Sequence, residues 1–275
     1  MQDIVQSLWI GNRLSTMERL AIQSFLDCGH PFHLYAYEPL ENVPTGTTVC
    51  DGREILPEDE IFVYRRGSGK GSPSAFSNFF RYKILLERGG WWSDLDAVCM
   101  KPLEFEDAHV TAWEREPDGT QHIAAGLVKA PVGSPIAKYC WEYCQTVNKS
   151  KLRWGQIGPR LFAQAIEELE VPVNILGPEA FYPIDYWKVD QLVSETELPL
   201  GCHSIHLWNS QWRKAGIDPD GDHPSDSIYE QLKSRFKIET LPSVMNVDDC
   251  TSDNSTTIWQ SLMSKFRGGK SRDAA

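Results

Sequence analysis

The chain is short of positive charge, of grouped cysteines and of long apolar runs, and each shortage removes a class of function. Its formal net charge is −11. A general nucleic-acid binder needs a basic footprint to displace counterions, so nucleic acid is not an expected partner. The seven cysteines, at positions 28, 50, 99, 140, 144, 202 and 250, are scattered and include no Cys-x-x-Cys pair. A disulfide framework or a zinc site would group them more tightly, so reduced and mostly buried thiols are expected. Met1-Gln2-Asp3 leads into a brief apolar run ending at Gly11. That is neither a secretory leader nor a membrane span, and a cytoplasmic location is the expectation. No internal repeat is visible.

What is there is the make-up of an ordinary folded domain. Of the 275 residues, 41% are hydrophobic and 24% charged, enough apolar material for one sizeable core. Residues 4–10 read as a buried strand. Ser15-Thr16-Met17-Glu18 is a capping box, in which a hydroxyl and a carboxylate satisfy each other's backbone donors. Met17, Leu20, Ala21, Ser24, Phe25 and Cys28 follow at helical spacing, and Gly29 closes the helix. Residues 32–37 read as a second strand, which makes a parallel βαβ unit. Ser72 and Pro73 open a helix to Arg88, closed by Gly89-Gly90, and residues 91–95 form a strand ending on acidic residues. Further strands are predicted at 109–113, 122–129, 173–176 and 204–208, and helices at 134–147, 159–168 and 225–236.

This alternation predicts an α/β fold over residues 1–238, with a single, mostly parallel central sheet flanked by helices. Residues 239–256 read as a polar linker. Residues 257–275 read as a basic amphipathic tail, with Ile258, Trp259, Leu262, Met263 and Phe266 on one face and Lys265, Arg267, Lys270 and Arg272 around it. Such a tail either lies on an anionic membrane surface, through residues 257–272, or packs on the domain or a partner chain.

Two motifs look chemical and fail on spacing. The run Arg65-Arg66-Gly67-Ser68-Gly69-Lys70-Gly71-Ser72 suggests a phosphate-binding loop. The first glycine of that motif would fall on Tyr64, however, and Lys70 is followed by glycine rather than Ser or Thr. Asp218-Pro219-Asp220-Gly221-Asp222 suggests a calcium loop, but its sixth position is His223 and its twelfth Tyr229. A basic connecting loop and a solvated turn are the expectations for these two.

Asp94 and Asp96 differ from the other Asp-x-Asp pairs in lying where a strand ends. Open α/β sheets bind ligands at the carboxyl ends of their strands, and Mg²⁺ or Mn²⁺ takes oxygen ligands of this kind. In the preceding helix Ser77, Asn78 and Arg81 sit three or four residues apart and share a face. Arg81 lies in so apolar a segment that it must find an anion, either the acidic pair or a bound phosphate.

Ser77-Asn78-Phe79-Phe80-Arg81-Tyr82-Lys83-Ile84-Leu85, then Gly89-Gly90-Trp91-Trp92-Ser93-Asp94-Leu95-Asp96, then Lys101-Pro102-Leu103, resembles the sugar-binding region of the Asp-x-Asp glycosyltransferases. That group includes the α-1,4-galactosyltransferase, Och1-type mannosyltransferase and clostridial-toxin glucosyltransferase relatives. Strong resemblance covers residues 72–103. Weaker matches lie at Ser7-Leu8-Trp9-Ile10-Gly11, at Gly155-Gln156-Ile157-Gly158-Pro159, and at the late segment Ile205-His206-Leu207-Trp208-Asn209-Ser210-Gln211-Trp212.

The resemblance implies a GT-A fold and a retaining hexosyl transfer from a nucleotide-diphosphate sugar, most simply a UDP-sugar. The acceptor would be a glycan or glycolipid in surface polysaccharide synthesis. It implies Mn²⁺ or Mg²⁺ held by Asp96, with His206 and Asp94. Donor contacts would come from Trp9, Ser77, Asn78, Arg81, Asp94, Gly158, Trp208 and Trp212. Arg81 would stabilise the leaving group, and Gln156 would either face the reacting carbon or cap the next helix. Asn78 stands where relatives carry Asp, and Ile157 where they carry Thr. A nucleotide-sugar-binding protein without turnover and a nucleotide-sugar hydrolase remain alternatives on the same scaffold.

Overall fold

Ten short strands and eight helices run through the described residues: β1 (Val5–Leu8), α1 (Thr16–Asp27), β2 (Phe32–Ala36), β3 (Thr48–Asp51), α2 (Ser74–Arg88), β4 (Gly90–Ser93), β5 (Ala97–Cys99), β6 (Val110–Arg115), β7 (Gln121–Ile123), β8 (Leu127–Ala130), α3 (Pro135–Thr146), α4 (Pro159–Leu169), β9 (Asn174–Leu176), α5 (Pro178–Phe181), α6 (Gln191–Ser194), β10 (Ser204–His206), α7 (Asn209–Ala215) and α8 (Ile228–Arg235). The structure, a computed structural model, describes residues 3–67 and 69–242. Most of the expected linker, and all of the tail at 257–275, lie outside the described residues.

Eight strands form one sheet in the order β3-β2-β1-β4-β8-β6-β7, with β9 on β6; β5 and β10 form a separate pair. The β3-β2-β1-β4 half is parallel, as the βαβ reading required, whereas β8 and β7 join antiparallel. Strand side chains alternate between faces, and the core divides accordingly. Val5, Leu34, Trp91 and Leu127 face one cluster with α1 and the late helices. Leu8, Tyr35, Trp92 and Val128 face the other, with α2, α3 and α4. Two apolar layers on one sheet are the α/β architecture expected.

The local signals fold as read. Ser15 caps α1 in a complete capping box with Glu18. Gly89 and Gly90 have φ of 61° and 82°. A Cβ at Gly89 would lie 2.6 Å from the Val132 nitrogen, and one at Gly90 2.8 Å from the Ile4 carbonyl. The turn that launches β4 therefore needs both glycines. The six described cysteines are free thiols.

Three expectations need correction. β3 lies in a stretch read as loop, because it is an edge strand whose side chains are mostly exposed and leave no apolar pattern. The strand expected at 122–129 is two strands, broken where the backbone oxygen of Gly126 accepts from the Asp94 N–H at 2.7 Å. The 218–222 turn is not simply solvated. Asp220 is buried and accepts from both the Thr16 backbone N–H, at 2.7 Å, and the Thr16 hydroxyl, at 2.6 Å, tying the turn to the start of α1.

Candidate functional site

β1 and β4 run parallel, with Val5 beside Trp91 and Gln6 beside Trp92, so their carboxyl ends share one edge of the sheet. The Ser7 hydroxyl donates to the Ser93 carbonyl at 2.6 Å and fixes that edge. Trp9 and Asp94 are the residues that leave it. After Ser93 the chain turns, the Ala97 N–H donating to the Asp94 carbonyl at 3.2 Å, and re-enters as β5. β10 pairs antiparallel with β5, setting His206 opposite Ala97. The Leu207 N–H completes the junction by donating to the Asp96 carbonyl at 2.6 Å.

Asp94, Asp96 and His206 thereby converge, with one ligand atom from each all within 4.8 Å of one another. Asp94 uses one oxygen for the protein: Oδ1 accepts from Arg81 Nη2 at 2.7 Å and from Trp92 Nε1 at 2.8 Å. Arg81 is only 5% exposed and lies against the Trp92 ring, so Asp94 is the anion its burial required. Asp96 Oδ2 accepts from the Asn209 backbone N–H at 2.9 Å, while Oδ1 faces His206 Nε2 at 3.2 Å. Asp94 Oδ2, Asp96 Oδ1 and His206 Nε2 are left turned toward a common point. Two carboxylate oxygens and an imidazole nitrogen form a donor set that fits Mg²⁺ or Mn²⁺.

The surrounding groups were not legible in the sequence. Gly126 leaves room at the centre, since a Cβ there would lie 3.3 Å from each of Asp94 Oδ2, His206 Nε2 and the Tyr182 hydroxyl. The Asn209 side chain donates to Glu18 at 2.8 Å, so the capping box of α1 braces the segment that holds Asp96. Burial raises the Glu18 pKa against the opposing pull of its Ser15 bonds. On the other side, burial pushes Glu114 up to about 8, with Glu116, Asp94 and Asp185 adding repulsion. His122 sits between Glu114, at 3.6 Å, and Glu116, at 3.2 Å, but burial outweighs the pull of Glu116 and, with repulsion from Arg160, lowers its pKa. A protonated Glu114 beside a neutral His122 is the arrangement consistent with both shifts.

The remaining candidates fall in several places. Asn78 is buried and faces Gly158, where a Cβ would lie 3.5 Å from its amide; Tyr82 donates to the Gly158 carbonyl at 3.0 Å. The segment 155–158 is thus seated on α2 beside Ser77 and Arg81. Gln156 is half-buried and its side-chain oxygen accepts from the Arg153 N–H at 3.2 Å. The Trp9 indole N–H is buried without a partner among the described residues, at the ligand-bearing edge. Trp208 adopts left-handed backbone, with φ of 61°, and its ring lies 4.0 Å from that of His206 while its N–H donates to the Ile184 carbonyl at 2.8 Å. It walls the site by holding His206. Trp212 is fully buried against Tyr229 and His223, and its indole N–H, like that of Trp9, has no partner among the described residues.

Residues 54–116 match the family of the glycosyltransferase sugar-binding region containing the DXD motif. That span is less than a quarter of the chain, and over it the chain is similar to the DXD region of glycosyltransferases. The matched span holds α2, β4, Arg81, Asp94 and Asp96, the residues the fold assembles at the sheet edge. No curated protein matches the whole sequence. Among solved structures, the PaToxG glycosyltransferase shares 13% identity over 86% of each chain, with a TM-score of 0.42. A transferase mutant shares 7% identity over 61% of this chain and 85% of its own, with a TM-score of 0.41. Neither likeness bears on residue roles or substrate. The strand-end acidic pair thus lies on an α/β scaffold, inside the span that matches the DXD region.

Proposed function

We propose that the protein transfers a hexose, with retention of configuration, from a nucleotide-diphosphate sugar to a glycan or glycolipid acceptor in surface polysaccharide synthesis, using Mn²⁺ or Mg²⁺. A UDP-sugar is the proposed donor. The single observation that carries this reading is the convergence of Asp94, Asp96 and His206 at the carboxyl edge of the sheet, inside the DXD region. Those three side chains would hold the cation. When bound, it supplies positive charge to a leaving nucleoside diphosphate.

The protein's own groups divide the remaining work. Arg81 and Trp92 hold Asp94 by one oxygen, so that the other faces the site. Arg81 is therefore a positioning residue rather than a direct phosphate contact. Trp9, whose indole N–H is unpaired, would meet the nucleotide end of the donor, and Ser77, Asn78 and Gly158 would meet its sugar. The acceptor hydroxyl attacks from the face that the diphosphate leaves, and a phosphate oxygen takes its proton. Preorganised donors around a dry site give such a reaction most of its acceleration. The C-terminal segment 257–272 is the proposed membrane contact, at the cytoplasmic face. No helix among the described residues is long and apolar enough to cross a membrane.

The test is nucleoside diphosphate release from a panel of nucleotide sugars, with and without candidate acceptors, in Mn²⁺ and in chelator. Asp96→Ala should abolish transfer with the melting temperature unchanged within a few degrees. Full activity in that variant, or in chelator, overturns the metal-dependent reading. Binding without release makes the protein a nucleotide-sugar binder, and release independent of acceptor makes it a hydrolase.

A further inference from the structure

Positive charge is scarce in this chain but not evenly spread. Residues 61–86 and 143–166 together hold nine Lys and Arg and no Asp or Glu, in a chain of net charge −11. The fold sets these two stretches against each other. Trp154 packs on Tyr64 with ring centroids 5.5 Å apart, and Arg66 donates to the Ser150 carbonyl at 3.4 Å. A side chain at Gly69 would run into the Trp154 ring, so the two loops meet closely.

Arg65, Arg66, Lys70, Lys151, Arg153 and Arg160 are all exposed on this lobe, and none has a carboxylate within salt-bridge distance among the described residues. Trp154 sits in their midst, 43% exposed. The same stretch of chain lines a groove of about 300 Å³, through Tyr143, Asn148, Lys151 and Gln156 among others. The lobe begins where α2 begins, roughly 10 Å along the helix from Arg81. It therefore adjoins the proposed donor contacts, with Gly158 against Asn78 of α2, while its exposed cations stand outside them.

Unpaired cations around an exposed indole, with a small polar groove, form the pattern of an interfacial contact: the ring enters the headgroup layer while the cations meet lipid phosphates. A flat bilayer touches one face only. The field of an exposed charge is screened within about 8–10 Å at physiological salt, so the acidic remainder of the chain does not oppose the approach. We propose that the lobe formed by residues 64–67, 69–72 and 148–160 docks the protein on an anionic lipid bilayer, presenting the metal site to an acceptor held in that membrane. This contact is separate from the one assigned to residues 257–272, and it does not depend on the transfer reaction.

The experiment is co-sedimentation of the full chain with vesicles of phosphatidylcholine alone and of phosphatidylcholine with phosphatidylglycerol. Four proteins are compared: wild type; Arg65→Glu/Arg66→Glu/Arg153→Glu; Trp154→Ala; and a tail variant with Lys265, Arg267, Lys270 and Arg272 changed to Ala. Each cation at an anionic surface is worth roughly 5-fold in partitioning, so the triple reversal should reduce binding roughly 100-fold or more. Trp154→Ala should weaken it several-fold, and the tail variant should keep most of it. Melting temperatures of wild type and the triple variant should agree, because Arg65, Arg66 and Arg153 are exposed, whereas Trp154→Ala also loses its packing on Tyr64. Wild-type binding equal on both vesicle types overturns the proposal. So does triple-variant binding equal to wild type, or retention of wild type on single-stranded DNA but not on anionic vesicles.

Discussion

Replacing Gly126 by alanine should separate the fold from the metal site more cleanly than removing a ligand does. The glycine is absent from the positive-φ positions, so its backbone accepts a side chain without strain. The added methyl would lie 3.3 Å from Asp94 Oδ2, His206 Nε2 and the Tyr182 hydroxyl at once. Carbon and oxygen are comfortable a few tenths of an ångström further apart, so two of the three metal-facing atoms must shift by that much. Metal–ligand distances tolerate about 0.2 Å. Disturbing the support of ligands commonly lowers affinity about 10–100-fold, which is about 1.4–2.7 kcal/mol. Folding stability should move by no more than about 1 kcal/mol, since the loss of room is offset by a stiffer unfolded chain. Mn²⁺ binding by calorimetry, with nucleoside diphosphate release as a function of Mn²⁺, checks both parts. Wild-type Mn²⁺ affinity in a folded Gly126→Ala protein would refute the placement of the cation between Asp94 and His206.

Three further changes probe the surroundings. Glu114 holds its proton in the folded state up to about pH 8 but only to about 4.5 when unfolded. The folded chain therefore binds the extra proton between these values. The favourable contribution is full below about 4.5 and is lost as pH rises to about 8. Glu114→Gln should remove that slope, gaining on wild type across the window in pH-dependent denaturant midpoints; an unchanged slope refutes the raised pKa. Arg81→Met leaves Asp94 with Trp92 alone. Asp94 is 32% exposed, so the loss should be about 1–3 kcal/mol, between surface and buried pairs, with weaker metal binding; native melting and native metal affinity together would show the pair to be idle. Asp220→Ala removes the acceptor for two Thr16 donors and should cost about 1–3 kcal/mol without altering metal affinity. A melting temperature equal to wild type would return that turn to the solvated role its composition implies.

The parts of this protein legible in sequence are those decided by neighbours along the chain. Ser15 and Glu18 are three residues apart, and their capping box forms as written. Arg81 and Asp94 are thirteen apart, and the apolar setting of Arg81 was enough to demand an anion. What escaped depends on distant partners. β5 is three residues long, too short for any periodic pattern, and its pairing with β10, a strand the sequence does mark, joins positions more than a hundred residues apart. Gly126 carries no signal of its own, because its role is the space it leaves. Trp212 shares the late aromatic segment with Trp208, and only the packing of α7 decides that one walls the site while the other fills the core. The membership of Asn209 is likewise invisible until Glu18, 191 residues away, is seen to accept its amide.

The two acidic side chains at 94 and 96 illustrate why an Asp-x-Asp pair means little until its backbone is known. Had β4 continued, alternation would have sent both carboxylates to one face, side by side and mutually repelling. The strand instead ends at Ser93, and the turn closed by the Ala97 N–H onto the Asp94 carbonyl lets the two diverge. Asp94 leans toward α2, where Arg81 pairs with its inner oxygen, and the Trp92 indole of β4 donates to that same oxygen. Asp96 leans toward α7, where the Asn209 N–H donates to one of its oxygens. Each carboxylate is thus anchored by one oxygen and offers the other, and the anchors come from opposite sides of the cleft. The pair at 218 and 220 has the same spacing but the reverse arrangement: Asp220 turns inward and spends Oδ1 on Thr16, while Arg13 lies 3.7 Å from Oδ2. A carboxylate with both oxygens committed to the protein is structural. One with a single oxygen anchored and the other turned to a neighbouring ligand is equipped to bind a cation, and on the described edge of this sheet that condition is met at Asp94 and Asp96.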